Sequence, residues 1–325
     1  MSKALGLLSG GLDSILAAMV LKKQGVDVTG IVYVTPFFGA ERARKASRQI
    51  DIPLIVRDIS EIHLEMLKNP RYGYGRNLNP CIDCHAMMFR IAGELVRQGD
   101  FDFLFSGEVL GQRPMSQNLN ALQAVAKHSG CGDFILRPLS ARLLPVTAME
   151  EKGLVDREQL LNIQGRTRRR QEELARQWGL ADVPSSGGGC LLTEKSFTAR
   201  LQDLLNHHPD CTPKDVELLK LGRQYRLSSR AKLTLGRNRE TNEAIKNLAD
   251  DNHLLLRAEL YSGPLGLISG HPDKDDLRQA AAIVAAYGKG KDCPTVRVLL
   301  VGKEAPEVFE VAPMDREKIE ELIVP

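Results

Sequence analysis

The chain has 325 residues, 43% hydrophobic and 26% charged, which excludes a disordered or fibrous protein and leaves room for two globular domains. A net charge of +3 is too small to mark a nucleic-acid binder, so local clusters of arginine matter more than the sum. No apolar run approaches the roughly 18 residues of a membrane span, and Met1-Ser2-Lys3 leads into the first strand without the apolar core of a signal peptide. A cytoplasmic protein with no membrane partner is expected.

The apolar run Ala4-Leu5-Gly6-Leu7-Leu8 is followed by Ser9-Gly10-Gly11-Leu12-Asp13-Ser14 and then by Ile15-Leu16-Ala17-Ala18-Met19-Val20-Leu21, which reads as strand, phosphate loop and helix. Two glycines let the backbone approach an anion, the serines add hydroxyl donors, and the helix points its free N–H groups and positive dipole end at the same place. A Gly-rich turn in which Asp13 or Ser14 serves only as a helix cap fits the same residues. No G-x-x-x-x-G-K-[ST] sequence occurs, so this is not the Walker loop. Residues 26–34 and 54–56 read as buried strands around a helix at 41–50, and a helix at 89–96 precedes a strand at 101–106. This alternation predicts a doubly wound α/β sheet, with residues 9–14, 33–36 and 106–116 meeting at the carboxyl ends of the strands in a nucleotide crevice.

Between the third strand and the helix near residue 90 lies a loop rich in Gly, Pro and Asn, residues 69–80, that ends in Cys81-Ile82-Asp83-Cys84-His85. Two thiols three apart at the start of a helix can face one metal, and the helix N-terminus favours the thiolate. Zinc, a redox disulfide, an iron–sulfur cluster and coincidence all fit a lone C-x-x-C. Cys190 follows Ser185-Ser186-Gly187-Gly188-Gly189, whose glycines permit the close backbone approach a thiol needs to reach a distant site. Two plus one makes three thiolates, enough for three irons of a cubane, whereas structural zinc wants four ligands, which His85 or another histidine would complete. Cys131, Cys211 and Cys293 fit no spacing pattern and read as apolar fillers or surface thiols.

Arg166, Arg168, Arg169 and Arg170 open a helix, either as a solvated face or as a contact to the phosphates of an RNA. The composition then shifts to Ser, Gly and Pro around one short amphipathic helix at 197–205, so the expected domains are 1–183, a linker at 184–213 that carries Cys190, and a smaller α+β domain at 214–325. In the last of these, helices at 239–248 and 275–287 and strands at 254–258 and 296–301 are expected.

The S-G-G-x-D-S sequence resembles the signature of the PP-loop ATP pyrophosphatases. Ser106-Gly107-Glu108-Val109-Leu110-Gly111-Gln112, with Ser116-Gln117, resembles the second nucleotide loop of the tRNA 4-thiouridine synthases, and Ile135-Leu136-Arg137-Pro138-Leu139 resembles the strand that follows it. The resemblance covers about residues 1–195 and implies ATP held by Ser9, Gly10, Gly11, Asp13 and Ser14, with further contacts from Tyr33, Gly107, Gln112, Ser116 and Arg137. It also implies Mg2+ positioned by Asp13, adenylation of a uracil carbonyl in tRNA, and catalytic roles for Asp13 and Cys190. The three cysteines are similar to the iron–sulfur-dependent branch of the thiolation enzymes, which implies a 4Fe-4S cluster on Cys81, Cys84 and Cys190 and a sulfur donor that is sulfide or a cysteine desulfurase. A homodimer is compatible with this reading. Two alternatives stand beside it: a persulfide on Cys190 resolved by Cys81 or Cys84, and a non-catalytic, nucleotide-sensing RNA-binding protein with structural zinc. The C-terminal part loosely resembles the RNA-binding domain of the NFACT proteins, which implies an RNA-facing edge of Arg237, Asn238, Arg239 and Lys246; capping by Asn238 explains that residue without RNA.

Overall fold

The computed structural model describes residues 1–185, 189–301 and 307–325. They fall into two compact units, Met1–Thr193 and Glu194–Pro325. The boundary gives Cys190 to the first unit and the helix expected within the linker to the second.

The first unit runs β1 (Lys3–Leu7), α1 (Leu12–Lys23), β2 (Asp27–Val34), α2 (Glu41–Gln49), β3 (Leu54–Asp58), α3 (Ser60–Lys68), α4 (Cys81–Arg97), β4 (Phe103–Ser106), α5 (Leu119–Ser129), β5 (Ile135–Leu136), α6 (Ala148–Glu151) and α7 (Arg169–Gln177). Its five strands are parallel and ordered β3-β2-β1-β4-β5. Side chains alternate along each strand, so β1 sends Ala4 to one core and Leu5 to the other, and β4 sends Phe103 and Phe105 to the first and Leu104 to the second. Helices cover both faces: α1 and α7 contribute Leu16, Leu174 and Ala175 to one core, while α4 supplies Phe89 and Ile91 to the other. This is the doubly wound arrangement expected. The strand order reverses direction between β1 and β4, which is where such sheets open a crevice for ligands.

The second unit comprises α8 (Lys195–His207), α9 (Pro213–Leu218), β6 (Arg223–Arg226), β7 (Ala231–Leu235), α10 (Arg239–Leu248), β8 (Leu254–Ala258), β9 (Gly266–Gly270), α11 (Lys274–Tyr287), β10 (Val296–Val301), β11 (Glu307–Val311), α12 (Arg316–Leu322) and β12 (Ile323–Val324). Its seven strands are antiparallel, in the order β11-β10-β8-β9-β7-β6-β12. Leu277, Ala280, Ala281 and Val284 of α11 pack into the same core as Leu233 of β7 and Val298 of β10. The sheet is larger than its sequence suggests, because β6 and β11 read Arg-Gln-Tyr-Arg and Glu-Val-Phe-Glu-Val, too polar to stand out as apolar runs. Among the described residues no helix is long and apolar enough to cross a membrane.

Candidate active site

The loop from β1 to α1 is built to leave a helix end open. Gly11 is the N-cap of α1 and among the described residues no side chain caps the helix, so its first-turn N–H groups, which have no partner within a helix, point out of the loop. Gly10 has φ of +75°, and a Cβ there would strike the backbone of Arg42. The Gly11 N–H donates to Ser9 Oγ at 3.3 Å and the Ser14 hydroxyl donates to the Gly11 carbonyl at 2.8 Å, which fixes the loop's shape. Asp13 Oδ2 accepts from Gln112 Nε2 at 2.8 Å. Its other oxygen, Oδ1, is buried and has no hydrogen-bond partner among the described residues. A carboxylate oxygen left so beside a helix N-terminus suits a divalent cation that an anionic phosphate would bring with it.

The second loop starts beside the first because β1 and β4 pair with Leu7 opposite Ser106. Gly107 lies so close to the first loop that a Cβ on it would fall 2.6 Å from Ser14 Cα. Glu108 is buried; its Oε2 accepts from Arg137 Nε at 2.9 Å and from the Ser106 hydroxyl at 3.1 Å, and its Oε1 meets His85 Nδ1 at 2.8 Å. Burial alone would push the Glu108 carboxyl up, but the Arg137 guanidinium and the His85 ring outweigh it and hold the pKa down at about 2. Arg137 is 8% exposed and donates its remaining NH2 group to the Leu122 carbonyl at 3.2 Å, so its guanidinium is engaged inside the protein. Tyr33 is also buried, donates its hydroxyl to the Met88 carbonyl at 2.8 Å, and has its pKa raised by burial. Ser116 is buried within its loop, with its N–H on the Arg113 carbonyl at 3.2 Å. The structure thus brings Ser9, Gly10, Gly11, Asp13, Ser14, Gly107 and Gln112 together, and engages Tyr33 and Arg137 with the protein's own interior.

Three thiols also meet in this unit. Cys81 opens α4 and Cys84 follows one turn later on the same face. Cys84 Sγ lies 3.4 Å from His63 Nε2, and Asn79 Nδ2 donates to Cys81 Sγ at 3.5 Å. Cys190 is brought from far along the chain by its neighbours: the Leu191 N–H donates to the Phe37 carbonyl at 3.0 Å, and Asn77 Nδ2 donates to the Thr193 carbonyl at 2.8 Å. Phe37 in turn packs its ring on His63 at 5.3 Å between centroids. Burial raises the Cys84 pKa well above its ordinary value, and the charges of Cys190, Cys81 and Asp83 add to the rise. The helix N-terminus was expected to favour the thiolate; at Cys84 burial and like charge outweigh it. Those same couplings put Cys81 and Cys190 each within electrostatic reach of Cys84. Burial lowers the His63 pKa to about 4, and its Nδ1 has no partner among the described residues, so the ring is neutral and a proton on Nε2 directed at Cys84 leaves the less costly orphan, a lone pair.

Among the described residues no three His, Cys, Asp or Glu side chains surround a single ion. Three thiols are the donor number that a cubane with one open iron takes, whereas mononuclear structural zinc takes four ligands. Of the glycine stretch before Cys190, residues 186–188 lie outside the described residues. Gly189 is described, and a Cβ there would lie 3.7 Å from the Arg42 guanidinium, whose backbone abuts Gly10. Arg42 therefore lies beside both the phosphate loop and the Cys190 segment.

Residues 1–142 match the family model described as thiamine biosynthesis protein (ThiI). Over those residues the first unit is similar to the ThiI proteins. Residues 222–323 match the model of the NFACT protein RNA binding domain. A probable tRNA sulfurtransferase from Macrococcus caseolyticus is 33% identical over 144 residues, 42% of this chain and 34% of the relative. The tRNA-specific 2-thiouridylase MnmA 1 from Syntrophus aciditrophicus is 28% identical over 220 residues, 60% of this chain and 54% of the relative. A solved 4-thiouridine synthetase–RNA complex with bound ATP aligns with a TM-score of 0.36 and 21% identity, over 66% of this chain and 52% of that one. The chain spans between about a quarter and about half the length of such curated relatives.

In the PP-loop unit, the arginines before and within α7 differ in their surroundings. Arg169 and Arg170 are exposed and share the Glu173 carboxylate at 3.2 and 3.4 Å, Arg166 is exposed, and Arg168 has a buried Nε with no hydrogen-bond partner. In the NFACT-type unit, Arg237 and Arg239 are exposed, while Asn238 caps α10 by accepting the Thr241 N–H at 2.9 Å. Arg237 is close enough to Arg200 to help lower its pKa, after burial, and the Arg223 guanidinium lies 4.7 Å over the Tyr287 ring. Sequence reasoning missed Arg200, Arg223 and Tyr287 because they sit on three separate elements, and it missed His63, Asn79 and Arg42 because no spacing links them to the cysteines or the glycines.

Proposed function

We propose that the chain is an ATP-dependent tRNA uridine thiolase. The observation that carries this reading is a carboxylate-bearing phosphate loop in one unit with three cysteines, two of whose charges act on the third, and with Arg42 beside both segments. The first-turn N–H groups of α1 and the Gly10–Gly11 backbone hold the phosphates of ATP, and Asp13 holds Mg2+ through Oδ1. The uracil carbonyl oxygen attacks the α-phosphorus, pyrophosphate departs, and the oxygen becomes part of an AMP leaving group that sulfide then displaces. The loop stabilises the negative charge that grows on pyrophosphate as its bond breaks. Cys81, Cys84 and Cys190 would hold a 4Fe-4S cluster, which when bound supplies an iron without a protein thiolate to carry sulfide. His63 and Asn79 orient two of those sulfurs by hydrogen bonding. The exposed arginines of α7 and the Arg237–Arg239 edge contact tRNA phosphates.

The test is iron and acid-labile sulfide analysis of anaerobically purified protein beside Cys190→Ala, with pyrophosphate release measured on ATP and unmodified tRNA. About four irons and four sulfides per chain, lost in the variant, together with tRNA-dependent pyrophosphate release, are expected. Stoichiometric zinc without pyrophosphate release would overturn the reading in favour of a nucleotide-sensing RNA-binding protein. Thiolation by an iron-free protein would replace the cluster by a Cys190 persulfide.

A further inference from the structure

A chain of amides runs from the phosphate loop to α7. Gln112 Nε2 donates to Asp13 Oδ2 at 2.8 Å, and Gln171 Nε2 donates to Gln112 Oε1 at 3.3 Å. Gln171 is 0% exposed, and α7 packs against α1, the helix that the phosphate loop opens. A position this buried on a short helix ordinarily takes an apolar side chain, since an amide there loses its water and must be repaid in hydrogen bonds. Gln171 recovers little on its own account: its Oε1 has no hydrogen-bond partner among the described residues. Packing therefore does not explain the residue.

The polarity of the chain does. A carboxylate only accepts, so Gln112 must turn its NH2 to Asp13 and its carbonyl away. A carbonyl so placed needs a donor, and the Gln171 amide supplies it. With its NH2 turned to Gln112, Gln171 gives the Gln112 carbonyl a donor in the orientation that the Asp13 carboxylate dictates.

We propose that Gln171 is a positioning residue for the phosphate loop: it holds Gln112 in the one orientation that occupies Asp13 Oδ2 and reserves Oδ1 for the cation–phosphate group. The inference rests on the reading of this loop as an ATP site, and extends it to a residue that touches neither phosphate nor metal.

The experiment uses the full chain with Gln171→Met and Gln171→Glu, and reads the dissociation constant of magnesium-ATP by equilibrium dialysis at several pH values, without RNA. Gln171→Met removes the donor and is expected to weaken binding about tenfold at every pH. Gln171→Glu is the sharper variant. As a carboxylate it draws the Gln112 NH2 to itself and turns the carbonyl on Asp13; as a neutral acid it donates to Gln112 and restores the wild-type orientation. Its binding is expected to fall as pH rises and to recover on acidification, relative to wild type at the same pH, and this pH dependence is expected to vanish when Gln112→Met is combined with it, whereas a loss caused only by burying a charge would persist. Gln112→Met serves as a second site: combined with Gln171→Met it is expected to add no further loss, because both act through one bond. Wild-type binding in both Gln171 variants, or equal loss in Gln171→Glu at all pH values, overturns the inference and leaves the ATP site standing. A wild-type chain that binds no magnesium-ATP overturns the site and the inference together.

Discussion

The backbone N–H of Leu191 donates to the carbonyl of Phe37 at 3.0 Å, and this one bond ties the Cys190 segment to a residue whose ring lies against His63. His63 in turn meets the Cys84 sulfur at 3.4 Å. The third thiol is thus delivered by a backbone contact to the loop after β2.

Gly107→Ala tests how closely the two nucleotide loops pack. The added methyl would lie 2.6 Å from Ser14 Cα, a backbone atom that a side-chain rotation cannot clear. A loss of about 1–3 kcal/mol in stability is expected, with weakened magnesium-ATP binding. Thermal unfolding and dialysis on one preparation would check both, and unchanged values would show that the loops have slack.

The buried Glu108 carboxylate gives a pH signature. Its folded pKa, about 2, is below the ordinary 4.5. Its contribution is therefore fully present above about pH 4.5 and is lost as pH falls through about 2, a total of about 3 kcal/mol. Glu108→Gln removes this part of the acid sensitivity and leaves Arg137 buried without its counter-charge, which is expected to cost about 3–5 kcal/mol at neutral pH. Urea midpoints of both proteins against pH measure the difference.

Lys232 carries a second signature, at alkaline pH, in the second unit. It is buried beside Asp203 at 3.4 Å, and burial lowers its pKa to about 8 in spite of that carboxylate. The unfolded chain holds this proton more tightly, so stability is expected to rise with pH between about 8 and the ordinary 10.5. Lys232→Met abolishes the rise and leaves Asp203 paired with Arg226 at 2.6 and 3.0 Å. Chemical denaturation across that range decides it; a flat wild-type curve would overturn the assignment.

Charge reversal of Arg166, Arg169 and Arg170 separates an RNA contact from a solvated face. Pairs on an exposed helix contribute well under about 1 kcal/mol, so stability is expected to stay within that margin. Affinity for tRNA is expected to fall, and the salt dependence of log K to lose about 0.7–0.9 for each phosphate contact removed. An unchanged salt slope would assign these arginines to solvent.

Much of this protein was legible in local pattern. Strand-loop-helix at residues 3–23 follows from an apolar run, two glycines and a second apolar run, and the parallel sheet follows from buried β-branched strands alternating with helices. The start of α4 at Cys81 and the capping of α10 by Asn238 were likewise local matters, set by spacing and by one side chain's own hydrogen bonds. What the sequence withheld was everything decided by approach across the chain. Arg137 reads in the sequence as a phosphate contact, and only the fold adds Glu108, a partner 29 residues away that accepts from its Nε. Cys84 looked like an activated thiolate until burial and two neighbouring thiols reversed the sign of the effect. Gln171 carried no signal, because its role depends on an amide 59 positions earlier that itself answers to a carboxylate 99 positions before that. Local pattern fixes backbone conformation through propensity and periodicity; the partner of a buried polar group is chosen by topology, and only the folded chain names it.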